Sequence, residues 1–136
     1  METAYYYLAL SGVLTILLWT PYILARVFIW GIPTFLNNYP EGYPATQPEN
    51  PLWVERAQRA HLNMVETLPA FIAVVVSAGY LTTATDAPTI ALWAQIFFFS
   101  RIVHAVVYIF GIPYLRTPSY LVSWASILMI ASAIFL

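Results

Sequence analysis

Apolar residues fill four long stretches of this chain, and most polar residues gather between or near the ends of these stretches. Residues 3–25 and 117–136 contain no charged side chain, and residues 67–100 contain only one, Asp86. A membrane-spanning helix needs about 20 predominantly apolar residues. The pattern predicts an all-α integral membrane four-helix bundle, with helices over about 4–30, 52–81, 87–110 and 118–136 and a long loop over 31–51. Residues 1–136 form one domain in this interpretation.

Composition excludes several classes of protein. Hydrophobic residues make up 61% of the chain and charged residues 8%, with a mean hydropathy of +0.74. A water-soluble domain carries about 25% charged residues, so a soluble fold is excluded. The net charge of −1 makes nucleic acid an implausible partner. Cysteine is absent and the two histidines are far apart in sequence, so we predict no disulfide and no metal site.

The second predicted helix carries more ionisable side chains than a spanning helix normally tolerates. Each costs about 2.5–3.5 kcal/mol at the bilayer centre on insertion scales, and such groups usually face a bundle interior or a water-filled site. A polar ligand with charges of both signs would explain their presence. The ionisable residues of this helix are Glu55, Arg56, Arg59, His61 and Glu66, and Asn63 lies among them.

Helical spacing sorts the polar residues into two stripes. Residues three, four and seven positions apart share one face of a helix, and the two sets that obey this rule are expected to face each other or to face across a subunit boundary. His61 points away from the first stripe and is expected to pack against another helix. The first stripe is Arg56, Arg59, Asn63 and Glu66, and the second is Arg101, His104 and Tyr108.

Other interpretations of these residues stay open at this point. Glu55 with Arg59, or Glu66 with Arg101, would be interhelical or intrahelical ion pairs that only hold the bundle together. An ion channel would instead show rings of like residues along a pore. A transporter of this kind would need repeats and broken helices.

The five basic residues predict the orientation in the membrane. All are arginines that lie near the first or third loop or project inward from them, whereas the second loop holds only Asp86. Because an excess of Lys and Arg marks the cytoplasmic side, the first and third loops should face the cytosol and both termini the opposite side. The arginines are Arg26, Arg56, Arg59, Arg101 and Arg116.

The segment from Glu55 to Glu66, ERAQRAHLNMVE, followed by LPAF at 68–71, resembles the helix 2 signature of the MAPEG superfamily. These are membrane-associated proteins in eicosanoid and glutathione metabolism. RIVHAVVY at 101–108, followed by LRT at 115–117, is similar to a second part of the family pattern. The short form resembles the bacterial branch of a family that includes microsomal glutathione transferases and prostaglandin E synthase. The resemblance therefore implies an integral protein of a bacterial inner membrane.

The resemblance also implies an assembly and a set of ligands. The protein would be a homotrimer in contact with membrane lipid, with glutathione as co-substrate at the subunit boundary and a lipophilic small molecule as second substrate. Arginines would hold the two glutathione carboxylates, a glutamate would take the ammonium beside an asparagine, and two aromatic residues would contact the peptide backbone. In this sequence these residues are Arg26, Arg59, Arg101, Glu66, Asn63, His104 and Tyr108.

Two further residues carry the expected chemistry. Arg116 matches the arginine that stabilises the thiolate in catalytic members of the family, and Thr117 stands where some members have serine. The resemblance thus implies a membrane-embedded glutathione-dependent transferase or peroxidase for lipophilic electrophiles or lipid hydroperoxides. The alternative is a non-catalytic lipid-binding or scaffold protein of the same fold, because the family includes the five-lipoxygenase-activating protein, which binds lipid without catalysis.

Overall fold

The computed structural model describes residues 1–36 and 48–136, and its regular elements are all α-helices. Four of them are long and apolar enough to cross a membrane. The prediction of an all-α fold with four spanning helices is therefore confirmed. The helices are α1 (Glu2–Trp30), α2 (Ile32–Leu36), α3 (Leu52–Leu81), α4 (Ala87–Phe110) and α5 (Arg116–Phe135).

The ends of the four long helices lie within two residues of those expected, and the difference at α5 has a simple cause. The helix begins at Arg116, before Pro118 and not at it. Proline fits the first turn of a helix, where its missing N–H would have no partner inside the helix. The same reasoning explains α2, because Pro33 lies in its first turn after Gly31.

The prediction for the first loop is wrong in part. Residues 31–51 were expected to be loop throughout, but Ile32–Leu36 is helical. Gly31 and residues 48–51 lie outside the helices, as expected, and residues 37–47 lie outside the described residues.

Small residues allow the helices to pack closely. Helices α3 and α4 each contact the other three long helices, and their buried faces carry alanines at the contacts. Small side chains let helix backbones approach one another in a membrane, where apolar burial gives little drive for association. The buried alanines of α3 and α4 are Ala57, Ala60, Ala78, Ala94 and Ala105.

An aromatic pair closes the core between α3 and α4. The rings of Phe71 and Phe97 stack with centroids 3.8 Å apart and an interplanar angle of 13°. Both side chains are fully buried and pack with Met64 and Ile130. Because Phe97 lies one helical turn before Arg101, this apolar layer separates the polar part of α4 from the far half of the bundle.

The connection from α4 to α5 folds back tightly. Gly111, with φ of 67°, ends α4 in the left-handed conformation that glycine adopts without strain. The Gly111 and Ile112 N–H groups donate to the Tyr108 and Val107 carbonyls at 3.1 and 3.0 Å, a Schellman ending. The short connection brings the first turn of α5 against the last turn of α4, with the Arg116 guanidinium 5.1 Å from the Tyr108 ring centroid.

Candidate functional site

Arg101 is the most deeply buried charged residue in the described part of the chain, with 1% of its surface exposed. Its Nη2 donates to the Asn63 side-chain oxygen at 2.9 Å, and its Nε donates to the Met64 sulfur at 3.3 Å. Both partners are neutral, and a thioether is only a weak acceptor. The guanidinium hydrogen-bonds to these groups on α3 and not to Glu66, the carboxylate considered as its partner from the sequence.

Aromatic rings surround the charged group. The His104 ring is 2% exposed and lies 5.5 Å from the Tyr108 ring centroid and 6.0 Å from that of Tyr120. The Arg101 guanidinium lies 5.8 Å from the Tyr120 ring centroid. Within the described residues, the His104 Nδ1 and the Arg101 Nη1 have no hydrogen-bond partner. Buried polar atoms left unpaired cost about 1–3 kcal/mol each, so a polar ligand that reached them would be bound favourably.

A cavity of about 270 Å³ opens beside these rings, between α3, α4 and the first turn of α5. Arg116 and Thr117 are both exposed and stand at its wall. The structure therefore brings together six of the residues predicted from the sequence, five around the cavity and Arg101 against them. The cavity is lined by Asn63, His104, Tyr108, Arg116, Thr117 and Tyr120.

Tyr120 was missed from the sequence. It follows Arg116 by four positions and therefore lies on the same face of α5. That spacing was the available signal, but tyrosine is common near the ends of spanning helices, so its presence there did not mark a site residue.

Arg26 lies in a different place from the other predicted residues. Its Nη2 donates to the Gln58 side-chain oxygen, across the contact between α1 and α3. Its guanidinium stands 5.4 Å from the Tyr22 ring centroid and 5.3 Å from that of Trp30. Arg26 does not line the cavity.

His61 packs against α1, as predicted. Its Nδ1 lies 3.0 Å from the Tyr22 hydroxyl, and the two rings are 5.6 Å apart. This contact lies in the same α1–α3 seam as Arg26, so His61 belongs to the helix packing and does not line the cavity.

Arg59 and Glu66 are exposed on the outer face of α3, together with Glu55. Apolar Leu62 and Val65 on the same face are 46% and 41% exposed. Glu66 lies fourteen positions after Leu52, which places it about 21 Å along the helix. Ionisable groups at that depth almost always face protein or water and not lipid. The chain by itself thus leaves Arg59 and Glu66 exposed among apolar residues of a helix that could span a membrane.

The family model for MAPEG matches residues 3–136. The chain belongs to the MAPEG family. No curated protein and no solved structure matches the chain. Together with four helices that could span a membrane, the family assignment makes this chain an integral membrane protein.

Membership in the MAPEG family indicates the general kind of function but not a specific activity. It fits the membrane-bound transferase and peroxidase roles related to glutathione. Five of the residues that the family resemblance implies line the cavity between α3, α4 and α5, namely Asn63, His104, Tyr108, Arg116 and Thr117.

Proposed function

We propose that this MAPEG protein is a glutathione-dependent transferase or peroxidase that acts on lipophilic electrophiles or lipid hydroperoxides. The observation that carries the proposal is Arg101, a buried cation with neutral hydrogen-bond partners, placed against a cavity that has Arg116 at its wall. A ligand with carboxylates would supply the counter-charge, and arginine binds carboxylates in a strong two-pronged geometry.

The residues present fit glutathione, which has two carboxylates, one ammonium group and a thiol. Arg101 would hold one carboxylate, with Asn63 beside it and the rings of His104 and Tyr108 against the peptide. The ammonium and the second carboxylate need partners of opposite charge, and the outer face of α3 offers Glu66 and Arg59.

We therefore propose that the protein is a homotrimer in which this outer face meets a neighbouring subunit. The boundary would cover Arg59 and Glu66 and would complete the glutathione site. The support is that both charges are exposed on a helix long and apolar enough to span a membrane, with Glu66 well inside that helix. Arg26 was expected to hold a carboxylate as well, but its guanidinium already binds Gln58.

The reaction needs a reactive thiol, which glutathione supplies when bound. A thiol has a pKa near 8.5, and a neighbouring cation favours the thiolate. Arg116 lies in the first turn of α5, where the helix dipole also favours an anion, and the Thr117 hydroxyl can donate a hydrogen bond. The thiolate sulfur would then form a carbon–sulfur bond with the electrophile, as a leaving group departs with its bonding electrons or as the electron pair of an activated double bond moves to an atom that takes up a proton. Alternatively, two thiols become one disulfide as a hydroperoxide becomes an alcohol and water.

Substitution of Arg116 tests the catalytic part of the proposal. Arg116→Ala should raise the pKa of the bound thiol and depress turnover while glutathione binding changes little, because only the ionised form loses an interaction. Arg116→Lys should be intermediate, because it keeps the charge without the planar fork. The ultraviolet absorbance of the thiolate would be followed against pH, with Thr85→Ala in the opposite loop as control. Identical titrations and turnover in all variants would remove Arg116 from the mechanism.

The subunit boundary has its own test. Glu66→Gln or Arg59→Ala should weaken glutathione binding by 30-fold or more, since losing one partner of a desolvated charge pair costs about 2–5 kcal/mol. Glu55→Gln makes the same change as Glu66→Gln on the same face, nearer the helix end, and serves as the matched control. The proposed subunit boundary would be contradicted by an unchanged affinity for glutathione in both variants. It would also be contradicted if native mass spectrometry showed only folded monomers.

A groove in the membrane-spanning part supports the non-catalytic lipid-binding alternative. It has a volume of about 510 Å³ between α4 and α5, and its walls include Leu92, Phe99, Val103 and Val122. An acyl chain would fit such a surface. Wild-type protein that binds lipid but shows neither a thiolate signal nor turnover with glutathione would favour this function over the enzyme.

We also propose a bacterial inner membrane location with the first and third loops in the cytosol. All five arginines lie in the half of the bundle next to these loops, whereas Asp86 lies in the loop between α3 and α4. Positive residues favour the cytosolic side. A reporter enzyme that works only outside the cytosol should be active when it is fused after Leu136. Activity of a reporter that works only in the cytosol, fused at the same place, would overturn this orientation.

A further inference from the structure

Three residues on the last part of α1 form a row that faces the start of α3. Tyr22, Arg26 and Trp30 are spaced by four positions, so they share one face of the helix. The guanidinium of the central residue, Arg26, lies 5.4 Å from the Tyr22 ring centroid and 5.3 Å from that of Trp30. This row of one cation and two aromatic rings forms the α1 side of the seam between α1 and α3.

Each residue of the row makes one side-chain hydrogen bond across the seam. Such bonds between membrane helices are individually weak, so a change in charge at one of them can shift the whole contact. The three bonds join the Tyr22 hydroxyl to His61 Nδ1 at 3.0 Å, Arg26 Nη2 to the Gln58 side-chain oxygen, and Trp30 Nε1 to the Asn50 side-chain oxygen at 3.1 Å.

His61 is the member of these pairs whose charge can change between about pH 5 and pH 8. A neutral imidazole with its proton on Nε2 accepts the hydroxyl proton of Tyr22 at Nδ1, whereas a protonated imidazole only donates. Tyr22 is 5% exposed, so its hydroxyl proton would then be left without an acceptor in a buried place. Protonation therefore works against the hydrogen bond that joins the two helices.

Protonation of His61 also adds a second positive charge beside Arg26. Both groups lie against the same ring, because the His61 and Tyr22 ring centroids are 5.6 Å apart and the Arg26 guanidinium is 5.4 Å from the latter. His61 and Arg26 are both half-buried. Like charges repel more strongly where water is partly excluded, so the closed seam disfavours the protonated form twice over.

The other surroundings of His61 do not offset this charge. At this end of the seam α4 contributes Ile109, which is apolar, and α5 does not contact α1. Among the described residues, Tyr22 and Arg26 are thus the ionisable groups that face His61 across the seam. The ionisable residues at and just before the start of α3 that stand nearest to it in sequence are exposed, namely Glu49, Glu55 and Arg59.

Helix α1 has a weak point directly before Tyr22. Pro21 lies inside the helix, and because proline has no N–H, the Leu17 carbonyl loses its usual helical partner. Proline is a common cause of a sharp bend. The first half of α1 packs on the main core through Ala4, so a bend at Pro21 can move residues 22–30 while the rest of the helix stays in place.

We propose that His61 is a pH-sensitive clasp between α1 and α3, which opens when the imidazole takes up a proton and lets residues 22–30 bend away from α3 about Pro21. Opening detaches Arg26 from Gln58, so the exposure of this arginine depends on pH.

Spin labels on introduced cysteines measure the opening, and the chain has no native cysteine to interfere. The labelled pair is Phe28→Cys with Leu52→Cys, at side chains that are 83% and 61% exposed near this end of the seam. Coexpression with an excess of the cysteine-free chain keeps the measured distances within one chain. As the pH falls from about 8 to about 5, the distance between the labels should lengthen by about 5 Å. A further bend of about 20° gives that displacement at the end of an arm about 13 Å long.

A second labelled pair serves as the control. Val13→Cys with Ile72→Cys joins the same two helices on the other side of Pro21 and should keep its distance at every pH. A constant distance between the labels at positions 28 and 52 overturns the proposal. An equal change in both pairs also overturns it, because that result indicates general loosening of the bundle.

Substitution of His61 identifies the group that responds to pH. His61→Gln can still bond to the Tyr22 hydroxyl but takes up no proton, so the distance should stay short at every pH. Lengthening equal to that of the unsubstituted chain would assign the response to another group, such as His104, and would overturn the proposal. Arg26→Gln keeps His61 and removes the neighbouring cation, so the lengthening should be smaller. This variant keeps the proposal testable if His61→Gln does not fold, and undiminished lengthening in it would contradict the role of charge repulsion.

The clasp does not rest on glutathione chemistry, because none of the labelled or substituted residues lines the cavity between α3, α4 and α5. The distances are recorded without glutathione. A protein without turnover that shows the pH-dependent lengthening supports the clasp, and an active enzyme with constant distances overturns it.

Discussion

Replacement of Arg101 with methionine should separate ligand binding from stability. The substitution removes a charged hydrogen bond to Asn63, worth about 1.5–3 kcal/mol. It also removes a buried cation, whose desolvation costs several kcal/mol, while the unbranched methionine keeps much of the apolar stem. The two changes oppose each other, so we expect the free energy of unfolding to stay the same or to rise by about 1–2 kcal/mol.

Glutathione binding should respond in the opposite direction. If Arg101 holds a carboxylate, its removal leaves that carboxylate buried without a partner, at a cost of about 2–5 kcal/mol. The dissociation constant should therefore rise from about 30-fold to several thousand-fold. Arg101→Lys should fall between wild type and Arg101→Met, because a single ammonium cannot make the paired contacts of a guanidinium.

Two measurements check this prediction on the same preparations. Denaturant unfolding in mild detergent gives the stability, and calorimetric titration with glutathione gives the affinity. A variant that loses more than about 3 kcal/mol of stability but binds glutathione as wild type does would refute the reasoning. Arg101 would then be a structural residue of the α3–α4 contact.

Three further substitutions test the fold. Phe71→Ala should lower the free energy of unfolding by about 3–5 kcal/mol, because it empties a fully buried site stacked on Phe97; a loss under 1 kcal/mol would mean that the core can collapse. Gly79→Ala should lower the free energy of unfolding by about 1–3 kcal/mol, because its methyl group would meet the Tyr5 hydroxyl. A second substitution, Tyr5→Ala, should recover part of that loss. Hydrogen bonds from the Thr83 hydroxyl and, to a smaller extent, from the Thr83 backbone N–H hold the pKa of Asp86 below its ordinary value. The stability that the ionised Asp86 contributes is fully present above the pKa of the unfolded state and is lost as the pH falls through the pKa of the folded state. Asp86→Asn should therefore be less stable than wild type at pH 7 and equally stable in strong acid. A stability difference that stays constant from neutral to strongly acidic pH would contradict this.

The helices were readable from the sequence because their signals are local. Long apolar stretches set their number, and glycine or proline near their ends set most of their bounds, as at Gly31 and Gly111. The small helix at Ile32–Leu36 was missed, because five residues are too few for a hydrophobic period to show.

The candidate site was readable in part for a similar reason. Asn63 on one helix and Arg101 and His104 on another follow helical spacing, and charged groups within spanning helices require a partner. Spacing alone could not tell which partner each group would meet. Arg101 bonds to Asn63 and Met64 and not to Glu66, because distances between helices depend on how their backbones pack.

The sequence by itself determined that this chain is a four-helix membrane protein of the MAPEG family, and it placed most of the polar residues on shared faces. Only the tertiary structure decided which of them meet. It put Arg26 against Gln58, added Tyr120 to the cavity and seated Arg56 over Gly111. The physical reason is that periodicity fixes the direction of a side chain around its own helix, whereas its contacts depend on the rotation and depth of the helices packed beside it.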